Sequence, residues 1–235
     1  LATLGIDGRT TPLHEHNEDR RVPELLERLR AGDDIALVSD AGTPLLADPG
    51  FRLVRAATEA GLPVRPIPGP CAVTAALSVA GLPTDRFRFE GFLPAKAAAR
   101  RARAAVLVRE TATLVLFEAP HRIAAMLADL AAVFGGVRPV WVGRELTKQF
   151  ESHRRGSLAE VSACFERGEE PARGEFVVIV AGADGEGSPD EDAARDLLRV
   201  LLDELPASRA AKVAARLTGL TRSRLYELAL ELSRS

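Results

Sequence analysis

Short, uninterrupted Val/Ile/Leu runs alternate along this chain with amphipathic stretches of ten or more residues, the pattern of a mainly parallel sheet covered by helices. Ile35-Ala36-Leu37-Val38 is an apolar run of the kind buried on both faces, and Ser39-Asp40-Ala41-Gly42-Thr43-Pro44 follows it as a loop. A helix is expected over about 51–60, ended by Gly61, and then a short strand over 64–67. Pro68-Gly69-Pro70 breaks the chain before an Ala-rich helix over 72–79. The first 30 residues offer a helix but no buried strand, so the strand that usually opens such a sheet is expected to lie upstream of Leu1.

After Gly81-Leu82-Pro83 the strands change character. Arg86-Phe87-Arg88-Phe89-Glu90 alternates with period two, as a half-exposed strand does, and 95–109 is helical by composition. A buried strand over 113–117 leads into the loop Glu118-Ala119-Pro120-His121 and a helix that Gly135-Gly136 stops. Strands are expected over 137–142 and 175–180, with the polar loop Gly143-Arg144-Glu145-Leu146-Thr147-Lys148 after the first of them. The stretch 182–191 is acidic and Gly/Ser/Pro-containing, a linker composition, and three helices follow near 192–204, 207–217 and 222–233. The expected organisation is α/β: an N-terminal unit over 1–82, a second α/β unit over 83–182 with a ligand cleft between the two, a linker over 183–191 and a helical region over 192–235.

Composition narrows the class. With 235 residues, 46% hydrophobic and 27% charged, the chain can build a core of one or two domains, which excludes disorder, collagen and coiled coil. No apolar run approaches the roughly 20 residues of a membrane-spanning helix and no leader precedes the first element, so a cytoplasmic protein is expected. Cys71 and Cys164 form no disulfide framework and no metal-ligand spacing, and zinc is not expected. The formal charge is only −2, but it is segregated. Residues 86–109 carry seven basic side chains against Glu90, residues 183–205 carry eight acidic ones against two, and residues 206–235 carry six basic against two acidic. Such segregation suits a polyanion that touches two patches while the remaining surface repels it.

In open α/β sheets the ligand lies past the carboxyl ends of the strands, where backbone donors and helix N-termini converge. Four loops qualify: 39–44, 68–72, 118–121 and 144–148. None is a phosphate cradle or a nucleophile elbow, which argues against nucleotide hydrolysis, NAD binding and serine hydrolysis. Asp40 either binds a cationic or hydroxylated ligand or caps the next turn. Gly42 allows a positive φ or the close approach of a ligand. Cys71, at a helix start, is either a thiol of lowered pKa or a small packing residue. His14, His16 and His121 are either proton acceptors or surface and loop residues.

Taken together the loops resemble a known family. Val38-Ser39-Asp40-Ala41-Gly42-Thr43-Pro44-Leu45 with Asp48-Pro49-Gly50, and Pro66-Ile67-Pro68-Gly69-Pro70-Cys71-Ala72, are similar to the two signature loops of the small-subunit ribosomal RNA 2′-O-methyltransferase I family, a branch of the tetrapyrrole-methylase superfamily. The blocks His14-Glu15-His16-Asn17-Glu18, Phe89 to Lys96, Leu116 to Arg122, Gly143 to Lys148 and Gly174-Glu175-Phe176 continue the resemblance in order over nearly all of 10–182. Two features depart from the family: its opening strand with a Thr-Pro-x-Gly-Asn-Leu loop is not found, and Cys71 stands where Ser is usual.

The resemblance implies a tetrapyrrole-methylase-like fold with a helical appendage and a homodimer. It implies S-adenosylmethionine held in the cleft by Ser39, Asp40, Ala41, Gly42, Thr43, Cys71, Ala72, Phe117, Glu118 and Leu146, several through main-chain atoms. The implied reaction is methyl transfer to the ribose 2′-hydroxyl of a cytidine in the decoding region of small-subunit rRNA, carried in the assembled subunit. Candidate proton acceptors are His14, His16, Glu145 and His121. Lys96, Arg144 and Lys148 would place an RNA phosphate, with Arg100, Arg101 and Arg103 in the landing strip. Phe87, Phe89 and Phe92 either stack on bases or belong to the core. The helix, Gly-bearing turn and helix over 208–232 has a helix-turn-helix layout that either docks on rRNA or only packs. The alternatives are a tetrapyrrole carbon as methyl acceptor and a ribosome-assembly binder without catalysis.

Overall fold

The computed structural model describes Gly5 and residues 10–183 and 189–233. Five strands form one sheet in the order β1-β2-β5-β3-β4: β1 (Phe87–Phe92), β2 (Thr113–Glu118), β3 (Pro139–Arg144), β4 (Ser152–Ser157) and β5 (Phe176–Val180). The continuous apolar runs of β2 and β5 occupy the middle, where both faces are covered, and β5 is buried along its whole length. Only β1 and β2 are parallel; β2–β5, β5–β3 and β3–β4 are antiparallel. This corrects the expectation of a mainly parallel sheet. A run buried on both faces reads the same in either direction, so its pattern carries no polarity. The polar strand β4, Ser-His-Arg-Arg-Gly-Ser, was not expected, because it lies at the sheet edge and buries little.

Strand alternation divides the side chains between two faces. Val115, Phe117, Trp141, Val177 and Ile179 share one face, and Leu114, Leu116, Glu118, Val142, Phe176 and Val178 the other. Helix α3 (Ala72–Ala80) lays Val73, Ala76, Leu77 and Ala80 on the first face. Against the second stands α6 (Leu158–Glu166), with the Phe165 ring edge-on to Phe176 at 5.8 Å, and α5 (Ile123–Phe134) packs on α6. Helix α6 opens with a capping box, Ser157 with Glu160, whose Ser-x-x-Glu spacing was present in the sequence but not read as a helix start. Helix α4 (Ala97–Leu107) links β1 to β2.

The N-terminal part holds α1 (Glu18–Arg30) and α2 (Phe51–Glu59) as expected. The expected strands at 35–38 and 64–67 are not formed. Among the described residues neither segment has a hydrogen-bonded backbone neighbour, and Val38 and Ile67 are 65% and 88% exposed. Apolar side chains favour a strand, but only a paired partner makes one.

The chain divides into two compact units, one of residues 1–105 with 113–181 and the other of residues 106–112 with 182–235. The second contains α7 (Pro189–Leu202), α8 (Ala207–Thr218) and α9 (Arg222–Leu232) around a cluster of Ala194, Leu198, Ala210, Ala211, Ala214, Leu225, Leu228 and Ala229. Most of the expected linker, residues 184–188, lies outside the described residues.

Candidate functional site

Strands β1, β2 and β3 run one way and β5 and β4 the other, so the ends of β1, β2 and β3 share an edge with the start of β5. Register sets Glu118 opposite Phe176, and Phe176 opposite Arg144, across that edge. On the α3 face the Phe117 ring meets Phe89 at 5.0 Å and Phe92 at 5.9 Å, both edge-on. Cys71, Ala72, Phe89, Phe117 and Leu146 lie partly buried against one cluster built on Val115, Trp141, Val177 and Ile179. Four residues expected on the cofactor, from three separate loops, are thereby gathered at one place.

The first two loops also meet. The Thr43 hydroxyl donates to the Pro70 carbonyl oxygen at 2.9 Å, and Gly42, at φ +74°, turns toward the same carbonyl. Ser39 closes its own loop by donating to the Ala41 carbonyl at 2.9 Å. The exposed Asp40 carboxylate makes no hydrogen bond among the described residues, so it does not cap the turn. At Cys71, partial burial opposes the thiolate. The amides of Thr74 and Val73 and the hydroxyls of Thr74 and Thr43 outweigh it and lower the thiol pKa.

Glu118 faces away from this cluster, because it alternates with Phe117 along β2. Its carboxylate is 2% exposed, accepts from the Ala119 amide at 2.8 Å and lies 3.1 Å from Arg122 Nε, while Oε2 has no hydrogen-bond partner. Burial pushes its pKa up against the opposing pull of the Ala119 amide and of Arg122, Arg100 and His121. What Glu118 presents toward the α3 face is main chain.

The loop after β3 is held under strain. Glu145 and Thr147 adopt positive φ, +49° and +64°. Glu145 Oε1 accepts from the Glu175 amide at 2.9 Å and from Lys148 Nζ at 3.0 Å, and Lys148 Nζ also reaches Glu175 Oε2 at 2.8 Å. The Glu175 amide, then Lys148, holds the Glu145 carboxyl below the usual carboxylate range. Gly174 makes room: its φ is +82°, and a Cβ there would come within 2.5 Å of the Glu145 side chain. Sequence reasoning assigned no role to Gly174; its signal was the Gly-Glu-Phe block itself. The arrangement is a latch that seats Leu146 beside the other three residues.

Comparisons with known proteins cover most of the chain. Residues 4–162 match the family described as Tetrapyrrole (Corrin/Porphyrin) Methylases, and residues 188–233 match the RsmI C-terminal HTH domain. The ribosomal RNA small subunit methyltransferase I of Xylella fastidiosa is 50% identical over 226 residues, 96% of this chain and 83% of the relative. That of Pseudomonas aeruginosa is 50% identical over 231 residues, 97% of this chain and 82% of the relative. This chain belongs to the ribosomal RNA small subunit methyltransferase I family. Solved structures fix the fold of the family member as that of the tetrapyrrole methylases. The methyltransferase CobJ has TM-score 0.55 and 20% identity, covering 79% of this chain and 81% of that one. A uroporphyrin-III C-methyl transferase from Thermus thermophilus, complexed with S-adenyl homocysteine, has TM-score 0.50 and 20% identity, covering 74% and 77%.

The residues expected to meet RNA fare unequally in this family member. Lys96 and Arg101 are exposed. Arg100 is 4% exposed, and its guanidinium is held by Asp129 at 2.7 Å and by the Ala95 carbonyl at 3.1 Å. The expectation that Arg100 meets phosphate is therefore corrected: the fold spends that charge in its own interior. Arg101 shares Asp129 at 3.1 Å, and Arg103 pairs with the buried Glu90 at 2.6 Å. Arg144 donates to the carbonyls of Arg173 and Phe150 at 2.8 and 2.9 Å, and Lys148 serves the latch. The helical face of 95–109 turned its cations toward carboxylates on β1 and α5, contacts no local pattern announces.

The three candidate histidines His14, His16 and His121 are exposed. His14 and His16 face one another with ring centroids 6.1 Å apart, and the His14 amide donates to Asn17 Oδ1 at 2.9 Å. The buried member of that block is Glu18, whose Oε1 accepts from the Gly50 amide at 2.8 Å and so ties α1 to the start of α2.

Proposed function

We propose that this chain transfers a methyl group from S-adenosylmethionine to the ribose 2′-hydroxyl of a cytidine in the decoding region of small-subunit rRNA. The observation that carries the reading is the gathering of Cys71, Ala72, Phe117 and Leu146 against one cluster, with the Thr43–Pro70 hydrogen bond joining the loop of Asp40 to them. That relatives at 50% identity are ribosomal RNA small subunit methyltransferases supports rRNA as the acceptor.

The residues fit such a donor. Phe117 and Leu146 offer an apolar wall for a purine, the Asp40 carboxylate suits ribose hydroxyls or a sulfonium, and the amides opening α3 add donors. Bound there, the donor supplies an electrophilic methyl carbon for in-line displacement. The chain's own part is alignment: the strained 145–147 turn fixes Leu146, and the Thr43–Pro70 bond fixes the loop opposite. A ribose hydroxyl must lose its proton. Glu145 is the least suited of the four candidates, since its carboxylate is already shared by an amide and an ammonium and its pKa is lowered. His14, His16 and His121 remain as acceptors. Lys96 is exposed and has no carboxylate partner among the described residues, while Arg101 is exposed but shares Asp129. The protein works as a homodimer in the cytoplasm; no helix among the described residues is long and apolar enough to cross a membrane.

The test is incubation of purified protein with methyl-labelled S-adenosylmethionine and assembled small subunits, naked small-subunit rRNA or a porphyrinoid. Label on one ribose-methylated cytidine of the rRNA is expected. Label on the porphyrinoid alone overturns the rRNA reading, and subunit binding with no label anywhere overturns catalysis. Single-turnover rates across pH for His14→Ala, His16→Ala and His121→Ala then identify the proton acceptor; three profiles like wild type would remove the side-chain base.

A further inference from the structure

The basic segment of unit two has an uneven use of its charges. Helix α8 buries Ala210, Ala211 and Ala214 against Leu198, Leu225 and Leu228. Arg209, Lys212 and Arg216, at i, i+3 and i+7, therefore form one stripe on the side turned away from that cluster, and all three are exposed. Among the described residues no carboxylate pairs with any of them. On α9 the case is reversed. Arg224 is held by Glu191 at 2.8 Å and by Glu227 at 3.2 Å, and Glu231 pairs with Arg195 of α7 at 3.2 Å. The unit thus carries on α9 charges that are paired apart from Arg222 at its first position, and on α8 an uncompensated stripe of three.

Several arginines elsewhere in the chain are paired. Arg100, Arg103, Arg154 and Arg167 each have a carboxylate within reach. Like charges at i, i+3 and i, i+4 repel along a helix, so an unpaired stripe of three is a local cost that a bound polyanion would remove. A helix cannot enter the deep, narrow major groove of A-form RNA, so a stripe of this kind meets such a partner through phosphates.

We propose that Arg209, Lys212 and Arg216 of α8 form a phosphate-backbone docking surface for the rRNA substrate, with α9 serving as packing and not as a base-reading helix. The identity of the RNA rests on the proposed function; the docking surface itself does not. It supplies binding outside the methyl-transfer unit and acts without regard to base sequence.

The experiment is binding of the full chain to assembled small subunits and to a small-subunit rRNA fragment over a salt series, for wild type and R209A/K212A/R216A. Alanine keeps α8 helical, and thermal melts check that the fold survives. The slope of log affinity against log salt is expected to fall by about 2–3 in the triple variant, at roughly 0.7–0.9 per phosphate contact. KM for subunits rises at least about tenfold, taking each lost charge as a separate contact, while kcat at saturation and the affinity for S-adenosylmethionine stay as in wild type. R209K/R216K, which keeps the charges, binds like wild type. An unchanged slope in the triple variant overturns the proposal, as does a loss confined to anionic vesicles or an acidic protein. So does R222A/Y226A abolishing binding while the α8 stripe is intact, which would make α9 the reader. If wild type binds subunits through the stripe yet methylates nothing, the enzymatic reading fails and the docking surface stands. If wild type methylates and the triple variant binds with the same slope, the reverse holds.

Discussion

The two sides of the candidate cleft are built by different means. Residues 39–44 and 68–72 come from segments with no sheet partner among the described residues, and one hydroxyl, Thr43 to Pro70, joins them. Residues 118–122, 144–148 and 173–175 hang from paired strands whose register is set, and are crossed by the Glu145–Lys148–Glu175 latch and the Arg122 bond to the Leu93 carbonyl at 2.6 Å. The sheet side is tied by strand register and several hydrogen bonds and the loop side by fewer, so a ligand that binds between them is expected to order the loop side more, at a cost in affinity.

The comparison can be broken hardest from behind the sheet. Asp129→Ala strands the Arg100 guanidinium in the interior and is expected to cost about 3–5 kcal/mol in urea unfolding, the usual penalty for an unpaired buried charge. A loss below about 1 kcal/mol would mean that Arg100 reaches water and would return it to the RNA-facing set. Next comes Gly174→Ala, which imposes both a left-handed alanine and a clash with the Glu145 side chain. It should cost about 1–3 kcal/mol and weaken donor binding. The matching change on the loop side, Gly42→Ala, meets only the Pro70 carbonyl at 3.8 Å, so backbone strain of about 1 kcal/mol is all that is expected. Equal costs at the two glycines would erase the distinction.

A pH series sharpens it. The Glu145 pKa is depressed, first by the Glu175 amide and then by Lys148. A carboxylate lowered in the fold contributes stability above its unfolded pKa of about 4.3, and loses it as pH falls through the lower folded value. Amide signals of Leu146 and Glu175 are expected to hold to below that pH in wild type and to be lost at higher pH in Lys148→Met. Smallest is Thr43→Val, with under about 1 kcal/mol in stability and a weakening of donor affinity of about fivefold, seen by calorimetry. Unaltered affinity would separate the Thr43 contact from donor binding.

Much of this architecture was legible beforehand, for reasons visible in particular residues. Helices α2, α3 and α8 follow from amphipathic spacing with Gly or Pro at their ends, α9 from its spacing after a Thr cap, and β2 and β5 from runs too apolar to lie anywhere but the middle of a sheet. The loops at 39–44 and 68–72 follow from their Gly and Pro turn residues, and that at 144–148 from the end of an apolar strand. The segments 35–38 and 64–67 looked like strands on the same grounds and are not, since their pairing depends on a neighbour that their own side chains do not specify. β4 was invisible because an edge strand needs no apolar face.

By itself, then, the order of residues determined the α/β class, the placing of most helices and the loops where chemistry gathers, because burial periodicity and turn preference are local properties of a chain. Only the tertiary structure decided that the sheet is mostly antiparallel, that Glu118 turns from the cleft, that Glu145 is a fastening and that Arg100 is buried against Asp129. Each depends on a partner far away along the chain, and a charge or an apolar run carries no mark of which distant group will meet it.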